Sequence, residues 1–202
     1  NYKHQTMCTI CVPNGLKMVM YTNTSPRMNL HMRHSLPLQM HLLILSSEHI
    51  STKKHMAKSL ILANGNIMVG LNSHGFVNDF FFPFVGVENH VRGESHRIGV
   101  WQHGRLSWLD NGEWNTEINL DQDTFIGTVK CFNKNTNLEL LFTNAVYNEK
   151  NIFLREVQVT NHGDHTEEIK IFFHQVFSIY GTSQEDTAYY DPVKNALIHY
   201  EG

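Results

Sequence analysis

The spacing of turn residues constrains the fold of this chain more than any other feature of its sequence. From Lys58 onward, turn-forming residues such as Gly, Pro, Asn, Asp and Ser interrupt short apolar or alternating runs about every 8 to 14 residues. Antiparallel sandwiches show this rhythm, because their strands are short and the chain turns back after each one. No stretch in this region keeps the 3.6-residue periodicity of a helix over a sufficient length. The sequence therefore predicts an all-β protein, an antiparallel super-β-sandwich.

Turn dipeptides place two hairpins within this pattern. Asn64-Gly65, the dipeptide most typical of a type I′ turn, separates a run at 60–63 from a second run at 66–71. His103-Gly104 separates runs at 97–102 and 105–109 in the same way. Further strands are expected at 76–82, which ends at Pro83, and at 124–132, 138–147, 152–160 and 167–179, the last with a bulge near His174.

Composition divides the chain into two unlike parts. Residues 1–55 carry six basic side chains and one acidic, a net charge of +5, whereas residues 56–202 carry 10 basic and 18 acidic, a net charge of −8. The second part also holds 20 of the 22 aromatic residues. Because residues 1–55 lack a regular apolar face, we expect an irregular, disordered or non-native appendage there and a sandwich domain at 56–202. Met56, where the patterned sequence begins, is the expected natural start.

Charge, hydropathy and cysteine spacing exclude several classes of protein. The net charge of −3 argues against a general nucleic-acid binder, which needs clustered Lys and Arg. No run approaches the roughly 18 apolar residues of a membrane span, and no targeting segment is visible. Three cysteines at no framework spacing fit a reducing compartment. We therefore expect a cytoplasmic protein that binds neither nucleic acid nor membrane.

The cysteine and histidine residues do not match a metal-binding motif. Cys8 and Cys11 form one C-x-x-C, but its spacing to His31 and His34 differs from that of a zinc finger. Four further histidines lack the compact spacing of a motif such as H-E-x-x-H: His90, His96, His174 and His199. No metal and no other cofactor is expected.

Three aromatic-rich regions exceed what a plain sandwich needs, and they lie within residues 79–101, 106–114 and 172–200. Their longest motifs are Asp79-Phe-Phe-Phe-Pro-Phe-Val-Gly-Val-Glu-Asn-His90, Arg97-Ile-Gly-Val-Trp101, Phe172-Phe-His-Gln175 and Asp186-Thr-Ala-Tyr-Tyr190, and Phe153-Leu-Arg155 lies between them. At these residues the chain resembles the N-terminal β-sandwich domain of prokaryotic glycoside hydrolase family 15 enzymes, the glucoamylase-like group that includes glucodextranases and some trehalases. The resemblance covers about residues 58–202.

This resemblance implies a supporting role rather than an activity. Enzymes of that family hydrolyse α-glucosidic bonds from chain ends with inversion, using two glutamates on an (α/α) barrel that follows the sandwich. The sequence leaves no room for a barrel, so no catalytic residue is carried over and the chain is expected to be inactive alone. Its implied partners are the catalytic barrel of the parent enzyme and, through that enzyme, an α-glucan or oligosaccharide.

Eight residues are candidates for the substrate mouth or the domain interface. Successive strand residues face opposite sides, so the aromatic run at 80–84 needs a core on one side and a partner on the other. We therefore expect the loop at 82–97 and the segment at 186–192 to face the barrel. The candidates are Phe82, Glu88, Asn89, His90, Arg97, Trp114, Tyr189 and Tyr190.

Two alternative functions fit the same sequence. A stand-alone carbohydrate-binding sandwich would stack sugars on exposed aromatic faces, for which Trp114 is the more exposed candidate. Trp101 and Trp108 lie in apolar surroundings and are expected in the core. The other alternative is a structural sandwich that mediates association.

A catalytic pair of carboxylates within this chain is the least expected of these functions. Glu88 and Glu94 lie close in sequence to His90 and to two arginines, but an acid and a base need different environments to separate their pKa values. Ion pairing with Arg92 and Arg97 is the expected role of these carboxylates.

Overall fold

The computed structural model describes residues 6–12, 16–24, 58–179 and 186–201, and it describes the first two ranges by their backbone alone. Fourteen strands lie in these ranges, and the predicted all-β class is confirmed. None of the described segments is a helix of the length and hydropathy that crossing a membrane requires. The strands are β1 Thr6–Val12, β2 Leu16–Thr24, β3 Leu60–Ala63, β4 Met68–Leu71, β5 Val77–Phe81, β6 Ile98–Gln102, β7 Arg105–Trp108, β8 Trp114–Leu120, β9 Gly127–Asn133, β10 Leu138–Val146, β11 Ile152–Asn161, β12 Ile169–Phe173, β13 Asp186–Asp191 and β14 Ala196–Glu201.

These strands form one large sheet and two small ones. The large sheet has eight strands in the order β13-β14-β1-β2-β11-β10-β9-β8. Its pairs β14-β1 and β2-β11 are parallel, and its other pairs are antiparallel. The small sheets, β3-β4-β5 and β12-β6-β7, are antiparallel throughout.

One apolar core is shared by the three sheets. Buried and more exposed residues alternate along β9, β10 and most of β11, as expected of strands with one covered face. Phe80 of β5 is fully buried and packs edge-on against Phe153 of β11, with ring centroids 6.4 Å apart. Burying one such side chain stabilises the fold by about 1.5–3 kcal/mol. Side chains of this kind hold the small sheets to the large one.

A tight turn brings β5 against the large sheet. The Oδ1 atom of Asn72 accepts hydrogen bonds from the amides of His74 (3.0 Å) and Phe76 (3.1 Å). Gly75 has a φ of +74°, and a Cβ at this position would lie 2.5 Å from Cγ1 of Val129 in β9. Only glycine fits both the backbone and the space at this position.

Arg155 of β11 holds the same turn from inside the core. Its Nη2 donates to the carbonyl of Gly75 (2.9 Å), and its Nε donates to Oδ1 of Asn144 (2.6 Å). The guanidinium also lies 5.5 Å from the ring centroids of Phe142 and Phe153. Burial lowers the pKa of Arg155 to about 10, so the group is charged at neutral pH and depends on these neutral acceptors.

Both predicted hairpins are present, with different turns. His103 and Gly104 form a two-residue turn with φ of +51° and +77°, as a type I′ turn requires. In the other hairpin Ala63 pairs with Met68, so the turn spans four residues and β4 begins two residues later than predicted. The Oδ1 atom of Asn64 accepts hydrogen bonds from the amides of the residues two and three positions ahead, which replaces the tight turn.

Some predicted boundaries are wrong. The predicted strand 167–179 begins at Ile169 and ends at Phe173. The amide of His174 makes one last hydrogen bond to the neighbouring strand, to the carbonyl of Arg97 (2.9 Å), and the chain then leaves the sheet. The strand therefore ends at the position where a bulge is predicted. Three strands that the turn pattern does not predict are also present, namely β8, β13 and β14.

The backbone of β1 and β2 differs from the irregular appendage expected at residues 1–55. The two strands pair antiparallel and lie between β14 and β11 in the large sheet. Pro13-Asn14-Gly15 separates them in the sequence, and Asn-Gly favours a hairpin. His31, His34 and Met56 lie outside the described residues, so the non-native origin of residues 1–55 stays a prediction.

Candidate functional site

Three exposed apolar side chains stand together on the loop that follows β5. We call residues 82–89 the apolar loop. Phe84, Val85 and Val87 are 64%, 45% and 75% exposed. The loop is tightly folded, since the carbonyl of Phe84 accepts hydrogen bonds from the amides of Val87 (3.2 Å) and Glu88 (3.3 Å). Neighbouring apolar side chains on a folded turn indicate a contact surface, because soluble monomers rarely leave such groups together in water.

Asn89 fixes the end of the apolar loop to β5. Its Oδ1 accepts hydrogen bonds from the amides of Phe80 (3.1 Å) and Val91 (3.2 Å), and its Nδ2 donates to Oδ1 of Asp79 (2.6 Å). The other oxygen of Asp79 lies 3.0 Å from Nζ of Lys58. Both ends of the Asn89 amide are therefore used within the protein. This predicted site residue supports the surface rather than forming its contact.

His90 is buried beneath the apolar loop. Its Nε2 lies 2.5 Å from the carbonyl oxygen of Phe82, so this nitrogen carries the proton. Its backbone amide donates to Phe80 (2.8 Å), and its carbonyl accepts from the amide of Ser178 (2.7 Å). The ring of Phe82 also lies 6.4 Å from the imidazole. The structure therefore brings these two predicted residues together inside the base of the loop.

Glu88 is the candidate residue whose contacts are incomplete. It is half-buried, and its carbonyl accepts a hydrogen bond from the amide of Phe82 (3.3 Å). Its Oε2 atom is shielded from solvent but has no hydrogen-bond partner among the described residues. Leaving a buried polar group unpaired costs about 1–3 kcal/mol, and more when the group is charged. This oxygen of Glu88 therefore lies inside the loop rather than on its contact surface.

Residues 174–179 connect the base of the apolar loop to the hairpin of β13 and β14. The ring of Phe177 lies 5.8 Å from Phe80, 4.7 Å from His96 and 5.8 Å from His199. His199 of β14 is in turn 3.3 Å from Oδ2 of Asp186 in β13, and both side chains are largely buried. The sequence signal for this connection is the third aromatic-rich region, residues 172–200, but the spacing does not reveal which residues it contacts.

His96 is buried beside Phe177 and is neutral at physiological pH. Burial lowers the pKa of His96 to about 4, against the weaker opposing effect of its hydrogen bond to the carbonyl of Val176 (2.8 Å). Positive charge on Arg155 and His174 lowers the pKa further. The adjoining cavity has a volume of about 10 Å³, which is space for about one water molecule. This region stabilises the fold and does not admit a substrate.

Arg97 lies on the face of the β12-β6-β7 sheet that points away from the core. It makes two hydrogen bonds to Asp110, from Nε (3.1 Å) and Nη2 (2.7 Å), and its guanidinium lies 4.6 Å from the ring centroid of Trp108. Nζ of Lys170 lies 4.5 Å from the ring centroid of Trp101 on the same face. The prediction that these two tryptophans fill the core is wrong. They are half-buried, and each is covered by a cation.

Trp114 does not offer an exposed face for a sugar, and the prediction that it is exposed is wrong. It is 7% exposed and begins β8, where alternation directs Trp114, Thr116 and Ile118 to the covered side. Its Nε1 donates to Oγ of Ser107 (2.9 Å), so its polar atom is satisfied internally. Trp114 is a core residue.

Tyr189 and Tyr190 lie on β13, the outermost strand of the large sheet, and are 48% and 55% exposed. Tyr189 packs edge-on against Tyr200 at 6.3 Å, and the hydroxyl of Tyr190 donates to Oδ1 of Asn195 (2.7 Å). Of the eight predicted residues, the structure therefore gathers four at the apolar loop: Phe82, Glu88, Asn89 and His90. The other four lie on or beside other strands.

Three carboxyl groups of the described residues, Glu113, Asp121 and Asp191, have a pKa lowered by hydrogen bonds. A hydrogen bond from Oγ of Ser107 is the main cause that lowers the pKa of Glu113, the opposite direction from that of a general acid. Burial raises the pKa of the Cys131 thiol to about 11, which leaves it unreactive at neutral pH. Within the described ranges, no three His, Cys, Asp or Glu side chains are grouped so that they could hold a metal ion.

Comparison with protein-family models, with curated proteins and with solved structures finds no match to this chain.

Proposed function

We propose that this chain is the non-catalytic sandwich of a glucoamylase-like α-glucoside hydrolase, which supports the catalytic (α/α) barrel and borders its active-site mouth. The proposal rests on one observation: the apolar loop has an exposed apolar tip, and hydrogen bonds hold its base in place. The resemblance of residues 79–101 to the N-terminal domain of that family supplies the identity of the partner.

The base of the apolar loop favours docking because it is already ordered. Asn89 and His90 each bind backbone groups on both sides of the loop stem. A loop held in this way loses little conformational entropy when a partner covers it. Burial of the apolar surface of Phe84, Val85 and Val87 can then contribute almost in full to the free energy of binding.

The loop also defines the chemistry of the partner surface. Three exposed apolar side chains require an apolar hollow on the partner. Such a partner would bury the loop tip, whereas Oε2 of Glu88 is already shielded within the loop and lies out of its reach.

We predict that Val87→Ser weakens binding to a prokaryotic glucoamylase-type barrel, expressed without its own sandwich, by about tenfold. The side chain is 75% exposed, so the substitution removes contact surface and leaves the core intact. Isothermal titration calorimetry with the separately purified barrel measures the dissociation constant. Leu120→Ser is the control, since Leu120 is 40% exposed at the end of β8, outside both segments expected to face the barrel, and its change is expected to leave the affinity unchanged.

Equal affinities for the two serine variants would show that the apolar loop does not form the contact. Failure of the unsubstituted chain to bind the barrel at all would remove the proposed function itself.

A further inference from the structure

The outer face of the large sheet carries a groove. Docking of a barrel at the apolar loop would not account for this groove. It crosses β8, β9 and β10, has a volume of about 370 Å³ and is lined by Asn115, Glu117, Lys130, Phe132, Glu139 and His162. Ligand sites generally have volumes of about 300–1,000 Å³, so the groove is large enough for a small ligand or part of a chain.

The register of the strands places the lining side chains next to each other. Phe132 of β9 pairs with Asn115 of β8 on one side and with Glu139 of β10 on the other. One step along the same face, Lys130 pairs with Glu117. Directly opposite residues have Cβ atoms about 4.5–5.5 Å apart, so these side chains form one continuous surface. Their immediate neighbours along each strand point to the covered side.

Contacts within the groove fix part of its lining. Oε2 of Glu139 lies 3.1 Å from Nζ of Lys130 and 3.2 Å from Nε2 of His162. The ring of His162 packs edge-on against Phe132, with centroids 5.9 Å apart. These contacts position the aromatic ring and one carboxylate, while Asn115 and Glu117 extend from β8 as exposed side chains.

We propose that this groove binds a neutral glycan chain. A sugar ring has an apolar C–H face and hydroxyl groups that both donate and accept hydrogen bonds. The groove offers an aromatic ring, two carboxylate acceptors, an ammonium donor and an amide that does both. Phe132 is the stacking residue, and Asn115, Glu117 and Lys130 bind the hydroxyls.

Other ligand classes fit this lining less well. The carboxylates of Glu117 and Glu139 disfavour phosphates and other anions, because the Lys130 ammonium group and the His162 imidazole both already lie against Glu139. The single apolar residue excludes a lipid chain, which needs a mostly apolar lining. A peptide added as a strand needs the free backbone of a sheet edge, whereas these side chains lie across the face of three paired strands.

The test is calorimetric titration of the full chain with maltoheptaose, isomaltohexaose and cellohexaose in turn. We expect at least one of these neutral oligosaccharides to bind, and we expect Phe132→Ala to weaken that binding by at least about tenfold. Phe172→Ala is the control, because Phe172 is an exposed phenylalanine on another sheet and its loss is expected to leave the affinity unchanged.

A second pair of variants separates binding from folding, since Phe132 is half-buried and its loss can disturb the sheet. Glu117→Gln replaces one acceptor oxygen of an exposed carboxylate in the groove by an amide donor and removes the charge, whereas Glu156→Gln makes the same change on β11, outside the groove. We expect only Glu117→Gln to weaken binding.

The proposal is overturned if none of the three oligosaccharides binds, or if the groove variants and the control variants have equal affinities. The Val87→Ser variant should bind glycan normally, which keeps this test independent of barrel docking.

Discussion

Replacing Phe80 with alanine is expected to lower the free energy of unfolding by about 4 kcal/mol. The Phe80 ring is fully buried where three parts of the chain meet. It packs edge-on against Phe153 of β11 at 6.4 Å and against Phe177 at 5.8 Å. Alanine would leave a cavity between the large sheet and β5, because neighbours on paired strands cannot move in to fill it. Folded domains are stable by only about 5–15 kcal/mol, so this loss is a large share of the total.

Chemical denaturation followed by circular dichroism measures this effect. Phe172→Ala serves as the control, because Phe172 is 45% exposed and its removal is expected to change stability by less than about 0.5 kcal/mol. A loss below about 1 kcal/mol for Phe80→Ala would contradict the position of Phe80 in a shared core.

Stability is expected to fall by about 2 kcal/mol between pH 7.5 and pH 5 because of His96. The pKa of this histidine is 6.5 ordinarily and about 4 in the folded chain. Between these values the unfolded chain binds a proton that the folded chain does not, so acid favours unfolding. The contribution is complete above pH 6.5 and is lost as the pH falls toward 4. Carboxyl groups with a lowered pKa, such as Glu113, lose their contribution only below about pH 4.5, so the upper window reports on His96.

The measurement is the free energy of unfolding of the unsubstituted chain and of His96→Gln at several pH values. Glutamine can still donate to the carbonyl of Val176 but does not titrate, so its profile should be flatter in this window. His165→Gln, at an exposed position, should retain the slope of the unsubstituted chain. Equal slopes for all three proteins would show that His96 is not buried as the structure places it.

The fold class could be predicted from the sequence because turn spacing and alternation are local properties. The His103-Gly104 turn needs only two residues with positive φ, and both are visible in the dipeptide. The β3-β4 turn was harder, because the side chain of Asn64 competes for the backbone amides and lengthens it. β8 carries a period-two signal, Trp114, Thr116 and Ile118 on one side, which the turn pattern alone misses.

The candidate site was only partly predictable, because its contacts join residues distant in sequence. The motif containing Glu88, Asn89 and His90 predicts a barrel-facing loop at 82–97, which stays a prediction, and the structure shows that Asn89 and His90 hold this loop. Nothing in the spacing showed that Asn89 and His90 point inward while Phe84 and Val87 point outward. Trp114 was placed outside because its neighbours Gly112 and Glu113 are typical of a turn, although the strand begins at the tryptophan itself. The groove lined by Phe132 depends on the register of three strands, which local sequence does not define.

The most direct test of the proposed function is glucose release from maltoheptaose by three samples: this chain alone, a glucoamylase-type barrel without its sandwich, and their mixture. We expect no release by the chain alone, since its described residues show no hydrolytic pair. We expect the mixture to release glucose faster than the barrel alone and to unfold at a higher temperature, because the apolar loop is buried in the complex. Release by the chain alone, or a mixture that matches the barrel alone in both rate and unfolding temperature, would contradict the proposed function.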